Sequence, residues 1–240
     1  CNTALLATDS FDKVASLLTE LQRDLAGTLS AYEVMWGEYF LGVTGENGHR
    51  PPMSRNYPFY VVVEAEGADP AADAARFERL LESAFEQGTI VDAVIPRSES
   101  ERRAVWEIRE DFEAILPAFL YDVSLPISAM GHYVEQVMDG VKKQWPDGAC
   151  YVLGHIADGN LHLFTRPNVA GDWHARSDDI VYAPLHGLKG SVSAEHGIGT
   201  EKLRWLPSSR SDEEIAMMRL LKKSLDPYNL LNRGRVLERL

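Results

Sequence analysis

Cysteine is scarce in this sequence, whose 240 residues include only Cys1 and Cys150. Two cysteines so far apart form neither a disulfide framework nor a metal-binding pair, so we expect a reducing compartment. The chain also lacks any run of about 18–20 apolar residues, the length that a membrane-spanning helix needs. A signal-peptide pattern is missing as well. Together these absences favour a cytoplasmic location.

Positive charge is also in short supply. The chain has 24 Lys and Arg residues against 36 Asp and Glu residues, which gives a formal net charge of −12. Binding to a nucleic-acid backbone needs clustered basic residues, so we expect no nucleic-acid partner. A small anionic substrate is not excluded, because one buried arginine is enough to bind it locally.

A glycine-rich cradle for a dinucleotide is the third absence. No Gly-x-Gly-x-x-Gly loop leads into a predicted helix, and Gly197-Ile198-Gly199 alone is not such a fingerprint. We therefore expect that this chain cannot hold a dinucleotide cofactor without another domain.

What the sequence does contain is an alternation of strand and helix patterns that occurs twice. In the first half, the patterns predict strands over residues 3–8, 29–36, 57–66 and 89–95, and helices over 11–26 and 69–87. In the second half, they predict strands over 122–127, 150–156, 161–166 and 191–194, and helices over 130–144 and 177–188. The β-α-β-β-α-β order of each half is that of a ferredoxin-like unit, an antiparallel sheet with helices on one face.

We therefore predict an α+β fold with two ferredoxin-like units in tandem. The first unit, residues 1–117, includes a linking helix over 98–116. The second unit, residues 118–240, carries the candidate site and ends in a helix over 211–223.

A candidate metal site is centred on the motif Gly-His-Ile-Ala-Asp-Gly-Asn-Leu-His at residues 154–162. Its Asp-Gly pair between apolar residues predicts a two-residue hairpin turn. Such a turn would place His155 directly opposite His162 on one face of the sheet, with Cβ atoms about 4.5–5.5 Å apart. Glu195 follows a short predicted strand and supplies a carboxylate. Two imidazoles and one carboxylate leave positions open on a divalent ion such as Zn²⁺, which is typical of catalytic sites.

The role of His196, beside Glu195, depends on the local backbone. If the predicted strand continues, the His196 side chain points away from that of Glu195. If the chain kinks at Gly197, His196 can turn toward the metal site and act as an acid or base. A structural role also stays open, because the histidines of this chain could simply be hydrogen-bonded core residues.

Five segments resemble, in the same order, motifs of the C-terminal domain of FAD-linked oxidases. This family includes D-lactate dehydrogenases, the glycolate oxidase flavin subunit and D-2-hydroxyglutarate dehydrogenase. The segments are 106–110 (Trp-Glu-Ile-Arg-Glu), 121–126 (Tyr-Asp-Val-Ser-Leu-Pro), 154–162, 193–202 (Ser-Ala-Glu-His-Gly-Ile-Gly-Thr-Glu-Lys) and the closing motif at 225–237. The resemblance implies a duplicated ferredoxin-like fold, in agreement with the pattern.

The resemblance also implies roles for particular residues. It assigns a divalent ion, commonly zinc, to His155, His162 and Glu195, and makes His196 the catalytic base. Arg109 would pair with the carboxylate of a D-2-hydroxy acid, and the C2 hydride of this substrate would pass to FAD. In the closing motif, one further residue, Asn232, would contact the cofactor.

The resemblance further implies that FAD is bound mainly by a domain that this chain does not contain. That domain would be the protein's own N-terminal FAD-binding domain or a separate flavin subunit, and without it we expect no activity. An electron-transfer partner that reoxidises the flavin could hold the enzyme at a membrane surface.

Three positions depart from the D-2-hydroxyglutarate enzymes that the sequence resembles. Glu113 and Leu120 stand where those enzymes have a Thr and a Lys that help to bind the distal carboxylate, and Phe164 replaces an Asn. A second substrate carboxylate is therefore disfavoured, and we expect an apolar substrate tail.

Other function classes remain open on the residues alone. A flavin-independent metal-binding module or a metal-dependent hydrolase could use the same ligands, because an open position on the metal can activate water. A structural oligomerisation domain would need the histidines only for hydrogen bonds in its core.

Overall fold

The centre of the protein is one seven-stranded antiparallel sheet. The structure is a computed structural model that describes residues 1–25 and 27–238. The strands are β1 (Asn2–Thr8), β2 (Leu29–Trp36), β3 (Phe59–Ala65), β4 (Asp92–Val94), β5 (Phe119–Ser124), β6 (Ala149–His155) and β7 (Asn160–Arg166). The helices are α1 (Phe11–Asp24), α2 (Gly37–Val43), α3 (Pro70–Glu86), α4 (Glu99–Glu110), α5 (Ile127–Gln144), α6 (His174–Tyr182) and α7 (Asp212–Leu225). The α+β fold class is thus confirmed; position 26, where α1 was predicted to end, lies outside the described residues.

The strand order, β4-β1-β3-β2-β6-β7-β5, joins two ferredoxin-like units edge to edge. The first unit has all four of its strands. Its edge strand β2 pairs with β6, the edge strand of the second unit. The two units therefore share a single sheet. Their division at residues 117 and 118 as separate domains stays a prediction.

The fourth strand predicted for the second unit, over 191–194, is reduced to one bridge between Ser191 and Ser124. The backbone N–H groups that follow do not enter the sheet. That of Val192 donates to the Ser209 hydroxyl, and that of Ala194 donates to the Asp122 carboxylate. Side chains thus replace the strand partner, and the segment becomes a loop.

Helices lie on both faces of the sheet rather than on one. The first face packs against α1, α3, α5 and α6. The second face packs against α2 and α4, where Tyr39 and Val105 join the core. The reason is visible in β3, because Val61 and Val62 point to opposite faces and are both fully buried.

The second face also carries the polar side chains of the candidate site. Side chains alternate along a strand, so residues two apart share a face. Glu33 of β2 therefore lies on the same face as Met35, and His162 of β7 on the same face as Phe164. In the described part of the chain, no helix has the length and apolarity needed to cross a bilayer.

Candidate active site

The three predicted metal ligands come together in the folded chain. His155 ends β6, His162 lies in β7, and Glu195 lies in the loop after Ser191. One ligand atom from each of the three lies within 4.8 Å of the others. The imidazole centroids are 5.3 Å apart, and His155 Nε2 lies 3.9 Å from Glu195 Oε1.

The predicted cross-strand pairing of His155 with His162 was wrong, but the prediction that both side chains lie on the same face of the sheet was correct. His162 lies opposite Leu153, and His155 lies opposite Glu33 of the neighbouring strand β2. The cause is the connection, because residues Ile156–Asp158 form a 3₁₀ turn instead of joining the ladder. A shift of two residues preserves the face, so both imidazoles still point to the same side.

Glu33 is a site residue that the sequence reasoning missed. Its Oε1 accepts a hydrogen bond from His155 Nδ1 at 2.8 Å, and its Oε2 accepts from Arg109 Nη2 at 2.7 Å and Nε at 3.2 Å. Since a carboxylate only accepts, Nδ1 of His155 carries the proton and Nε2 is left free toward Glu195. No local motif marks Glu33, which contacts a residue 122 positions away.

The pKa shifts of this cluster have opposite signs. The hydrogen bond to Glu33 raises the pKa of His155 above 6.5, although burial and the Arg109 charge oppose the shift. Burial lowers the pKa of His162 to about 4, and the nearby charges of His155 and Arg109 act in the same direction. Burial also acts to raise the pKa of Glu33, but His155 and Arg109 outweigh it and lower that pKa. At neutral pH His162 is therefore a neutral imidazole, the form that binds metals.

The loop that carries Glu195 and His196 is attached to a second missed residue, Asp122. This side chain is fully buried in β5, opposite His162. Its Oδ2 accepts backbone hydrogen bonds from Ala194, Glu195 and His196 at 3.1, 2.9 and 2.8 Å. Burial acts to raise the pKa of Asp122, but these hydrogen bonds outweigh it and lower that pKa.

A third missed residue, Asn160, orients the Glu195 carboxylate. Asn160 is 2% exposed, and its Nδ2 donates to Glu195 Oε1 at 2.7 Å. It belongs to the sequence motif at 154–162, but the motif alone does not identify its partner. The buried Asn160 side chain therefore sets the orientation of the Glu195 carboxylate.

His196 lies beside the cluster. Its ring is stacked near His162 with centroids 6.0 Å apart, and its side chain is 49% exposed. The backbone here is a loop, not a continued strand, so Glu195 and His196 both reach the same site. The predicted role of His196 as a base stays a prediction.

The other two predicted residues are placed differently. Arg109, from α4, is 8% exposed and donates to Glu33 next to the three predicted ligands. Asn232 lies in the exposed segment after α7, which reaches the His196 loop through a hydrogen bond from Val236 N to Gly199 O. The cofactor contact of Asn232 and the substrate contact of Arg109 stay predictions.

Comparison with known proteins gives one family and one fold. A family model described as FAD linked oxidases, C-terminal domain, matches residues 1–236. The chain is 35% identical to a D-2-hydroxyglutarate dehydrogenase of Xanthomonas citri pv. viticola, covering 99% of this chain and 51% of the relative. It is 32% identical to the mitochondrial D-2-hydroxyglutarate dehydrogenase of Arabidopsis thaliana, with 98% and 43% covered. A putative mitochondrial D-lactate dehydrogenase of Schizosaccharomyces pombe is 30% identical, with 96% and 46% covered.

Two solved structures share the fold. They are p-cresol methylhydroxylase with substrate bound (TM-score 0.65, 10% identity, 99% of this chain and 52% of that one) and 4-ethylphenol oxidase from Gulosibacter chungangensis (TM-score 0.64, 16% identity, 99% and 53%). The chain spans about half the length of the curated relatives that it matches.

The opposite pKa shifts of the two imidazoles predict separate titrations. In metal-free protein, NMR should show His155 losing its proton above pH 6.5 and His162 near pH 4. Glu33→Gln should lower the pKa of His155 toward 6.5, because the accepting carboxylate charge is removed.

Glu64→Gln is the matched control, since Glu64 pairs with Arg102 instead. It should leave the His155 titration unchanged. Because folding raises the pKa of His155, the Glu33–His155 pair stabilises the fold fully below pH 6.5 and loses this effect as pH rises through the folded pKa. An unchanged His155 pKa in Glu33→Gln would contradict the assignment.

Proposed function

Because the chain belongs to the family of FAD-linked oxidase C-terminal domains, we propose that it is the substrate-binding half of an FAD-dependent D-2-hydroxy acid dehydrogenase or oxidase. The observation that carries this proposal is the convergence of His155, His162 and Glu195, with His196 alongside, on one face of the sheet. The whole-chain family match favours it over a metal-dependent hydrolase, a flavin-independent metal module or a structural domain.

The partner in this proposal is an FAD-binding half, either an N-terminal domain of the same protein or a separate flavin subunit. Half-exposed Glu195 and His196 are accessible to such a partner. A cytoplasmic location, an electron-transfer partner and a glycolate-oxidase-like role stay predictions. Some relatives carry the word mitochondrial in their names.

The donor set fits a divalent metal ion, with zinc as the first choice. Two imidazole nitrogens and a carboxylate oxygen are donors that Zn²⁺ prefers. The 4.8 Å spread of the ligand atoms exceeds the separation in a tetrahedral site, about 3.3 Å. A bound ion would therefore require side-chain rotations that bring the three donor atoms closer together. Glu33 and Asn160 already orient two of the ligands, as outer-sphere partners do at metal sites.

The chemistry requires two groups that this chain would hold or face. A bound divalent ion would act as a Lewis acid toward the substrate 2-hydroxyl, and FAD would accept the hydride from C2. His196 Nδ1 is turned toward Asp122 Oδ2 at 4.0 Å, which leaves Nε2 to accept the hydroxyl proton.

Arg109 is the proposed partner of the substrate carboxylate. It donates Nε and Nη2 to Glu33, and its Nη1 makes no hydrogen bond within residues 1–25 and 27–238. A planar guanidinium held on one edge can still bind an anion with the other edge. Glu33 would thus set the orientation in which Arg109 meets the substrate.

The surface beside the metal ligands favours an apolar substrate tail. Phe164 lies two residues beyond His162 on the same face but is only 3% exposed, and it stacks at 6.1 Å with Phe112, which is 46% exposed. Leu120 lies opposite Phe164 on β5 and is 45% exposed. Glu113, exposed in the turn that follows α4, adds negative charge instead of a cation. A distal carboxylate would meet no complementary charge at these positions.

Removal of a proposed ligand should weaken metal binding. In calorimetric titrations of chelator-treated protein with Zn²⁺ near neutral pH, His155→Ala, His162→Ala and Glu195→Ala should each reduce the affinity at least about tenfold. His132→Ala, an exposed histidine on α5, is the control and should bind like the unmodified chain. Equal affinities in all four variants, or no binding by the unmodified chain, would refute the metal site.

Catalysis should require the flavin half. The chain alone should not oxidise a D-2-hydroxy acid, whereas the protein assembled with its FAD-binding half should. In the assembled enzyme, His196→Ala should lower kcat about 10²–10⁴-fold, the usual contribution of a general base. Exposed His186→Ala serves as the control. Turnover by the chain alone would contradict the need for the flavin half. An unchanged kcat in the His196→Ala enzyme would contradict the role of His196 as the base.

The substrate tail is testable with the same enzyme. We expect a higher kcat/KM for a D-2-hydroxy acid with a branched aliphatic tail than for D-2-hydroxyglutarate. Leu120→Lys should shift the preference toward the dicarboxylate, because it introduces a cation beside Phe164. Leu41→Lys, at a leucine with the same 45% exposure on α2, should not. A wild-type preference for the dicarboxylate would contradict the apolar tail.

A further inference from the structure

We propose that Asp122 is a positioning residue that holds the Glu195–His196 loop in its site-forming conformation. The inference rests on the proposed function only in naming Zn²⁺ as the ion that Glu195 binds. Asp122 itself contacts neither the metal ligand atoms nor the proposed substrate position.

Three consecutive backbone N–H groups converge on a single oxygen of Asp122. Those of Ala194, Glu195 and His196 lie 3.1, 2.9 and 2.8 Å from Oδ2, and the Ser193 hydroxyl donates to the same atom at 3.1 Å. Successive amides that wrap around one anion form a concave binding nest. Here the anion is a side chain of the protein's own sheet.

The loop has few other attachments near these residues. Its last backbone pairing with the sheet is the bridge at Ser191, and Glu195 also contacts the sheet through the hydrogen bond from Asn160 Nδ2 to its Oε1. Gly197 and Gly199, with φ of +83° and +56°, come soon after. Glu195 and His196 are about half exposed, so apolar packing does little to fix them. The buried carboxylate is therefore the main link between this loop and β5.

The position of Asp122 in the sheet determines where the Glu195–His196 loop is attached. Asp122 lies directly opposite His162, so the loop is tied to the sheet beside a metal ligand. Lys202 supports the arrangement from the loop side, since its Nζ donates to Asp122 O at 3.3 Å and to Ser193 Oγ at 3.2 Å.

The use of one carboxylate oxygen for all four donors supports a specific role. Oδ1 of Asp122 is buried and has no partner within the described ranges 1–25 and 27–238. Most buried polar atoms have a hydrogen-bond partner, so the concentration of all four donors on Oδ2 calls for an explanation other than satisfying the core. Removing Oδ2 would leave the three loop amides without their acceptor, and the loop would rearrange to find another.

The test compares Asp122→Ala and Asp122→Asn in this 240-residue chain. Amide hydrogen exchange at residues 194–196 is measured in metal-free protein, and Zn²⁺ affinity is measured by calorimetry. In Asp122→Ala we expect exchange at 194–196 to accelerate at least about tenfold and Zn²⁺ affinity to fall about 10–100-fold. Asp122→Asn keeps an acceptor oxygen without the charge, so it should fall between wild type and Asp122→Ala in both measurements.

Asp226→Ala is the matched control. Asp226 is also a buried carboxylate that accepts two backbone hydrogen bonds, from Leu230 and Leu231, but in the C-terminal segment. It should accelerate exchange at 230–231 and leave residues 194–196 and Zn²⁺ affinity unchanged.

Three results would overturn the proposal: unchanged exchange at 194–196, acceleration of β5 as a whole to the same extent, or unchanged Zn²⁺ affinity in folded variants of a chain that binds Zn²⁺. If Asp122→Ala does not fold, Asp122→Asn decides by the same criteria. If the unmodified chain binds no Zn²⁺, the proposed metal site fails, and hydrogen exchange alone decides the role of Asp122.

Discussion

The pairing of β2 with β6 is the constraint on which both the fold and the site depend. It consists of three register pairs, Glu33 with His155, Val34 with Gly154 and Met35 with Leu153. These pairs convert two ferredoxin-like units into one sheet and bring a carboxylate of the first unit against an imidazole of the second. The candidate site is therefore a product of the junction and belongs to neither unit alone.

Sequence patterns predicted the features that depend on neighbouring residues, such as strand bounds and the face on which a side chain lies. The strand over residues 29–36 has the bounds of β2, and the Asp-Gly motif correctly placed both histidines on one face. The same motif gave the wrong register, since a two-residue turn leaves no room for the 3₁₀ residues at 156–158. Helix α2 went unpredicted because its seven residues are too few and too apolar to show a helical period. Glu33 and Asp122 have partners at least 70 positions away, and no local sequence pattern predicts such contacts.

Two buried carboxylates show how the polar part of the site is stabilised. Moving a carboxylate from water into a protein interior costs several kcal/mol unless its charge is compensated. Glu33 is compensated by Arg109 and His155, whereas Asp122 is compensated mostly by backbone amides and by Lys202. The two carboxylates therefore have different effects. Glu33 fixes the direction of a ring nitrogen of His155, and Asp122 fixes the backbone path of the Glu195–His196 loop.

This difference separates the site into a rigid part and an adjustable part. His155 and His162 come from strands of one sheet, so their separation changes little with loop motion. Glu195 and His196 are consecutive residues, and in an extended strand their side chains would point to opposite sides. The amide nest around Asp122 bends the backbone so that Glu195 approaches His155 while His196 stacks near His162. The proposed third ligand and the proposed base therefore share one stretch of backbone, which the Asp122 carboxylate holds against the sheet. If the proposed FAD-binding half docks on a site that is already ordered in this way, docking need not supply the free energy to order it.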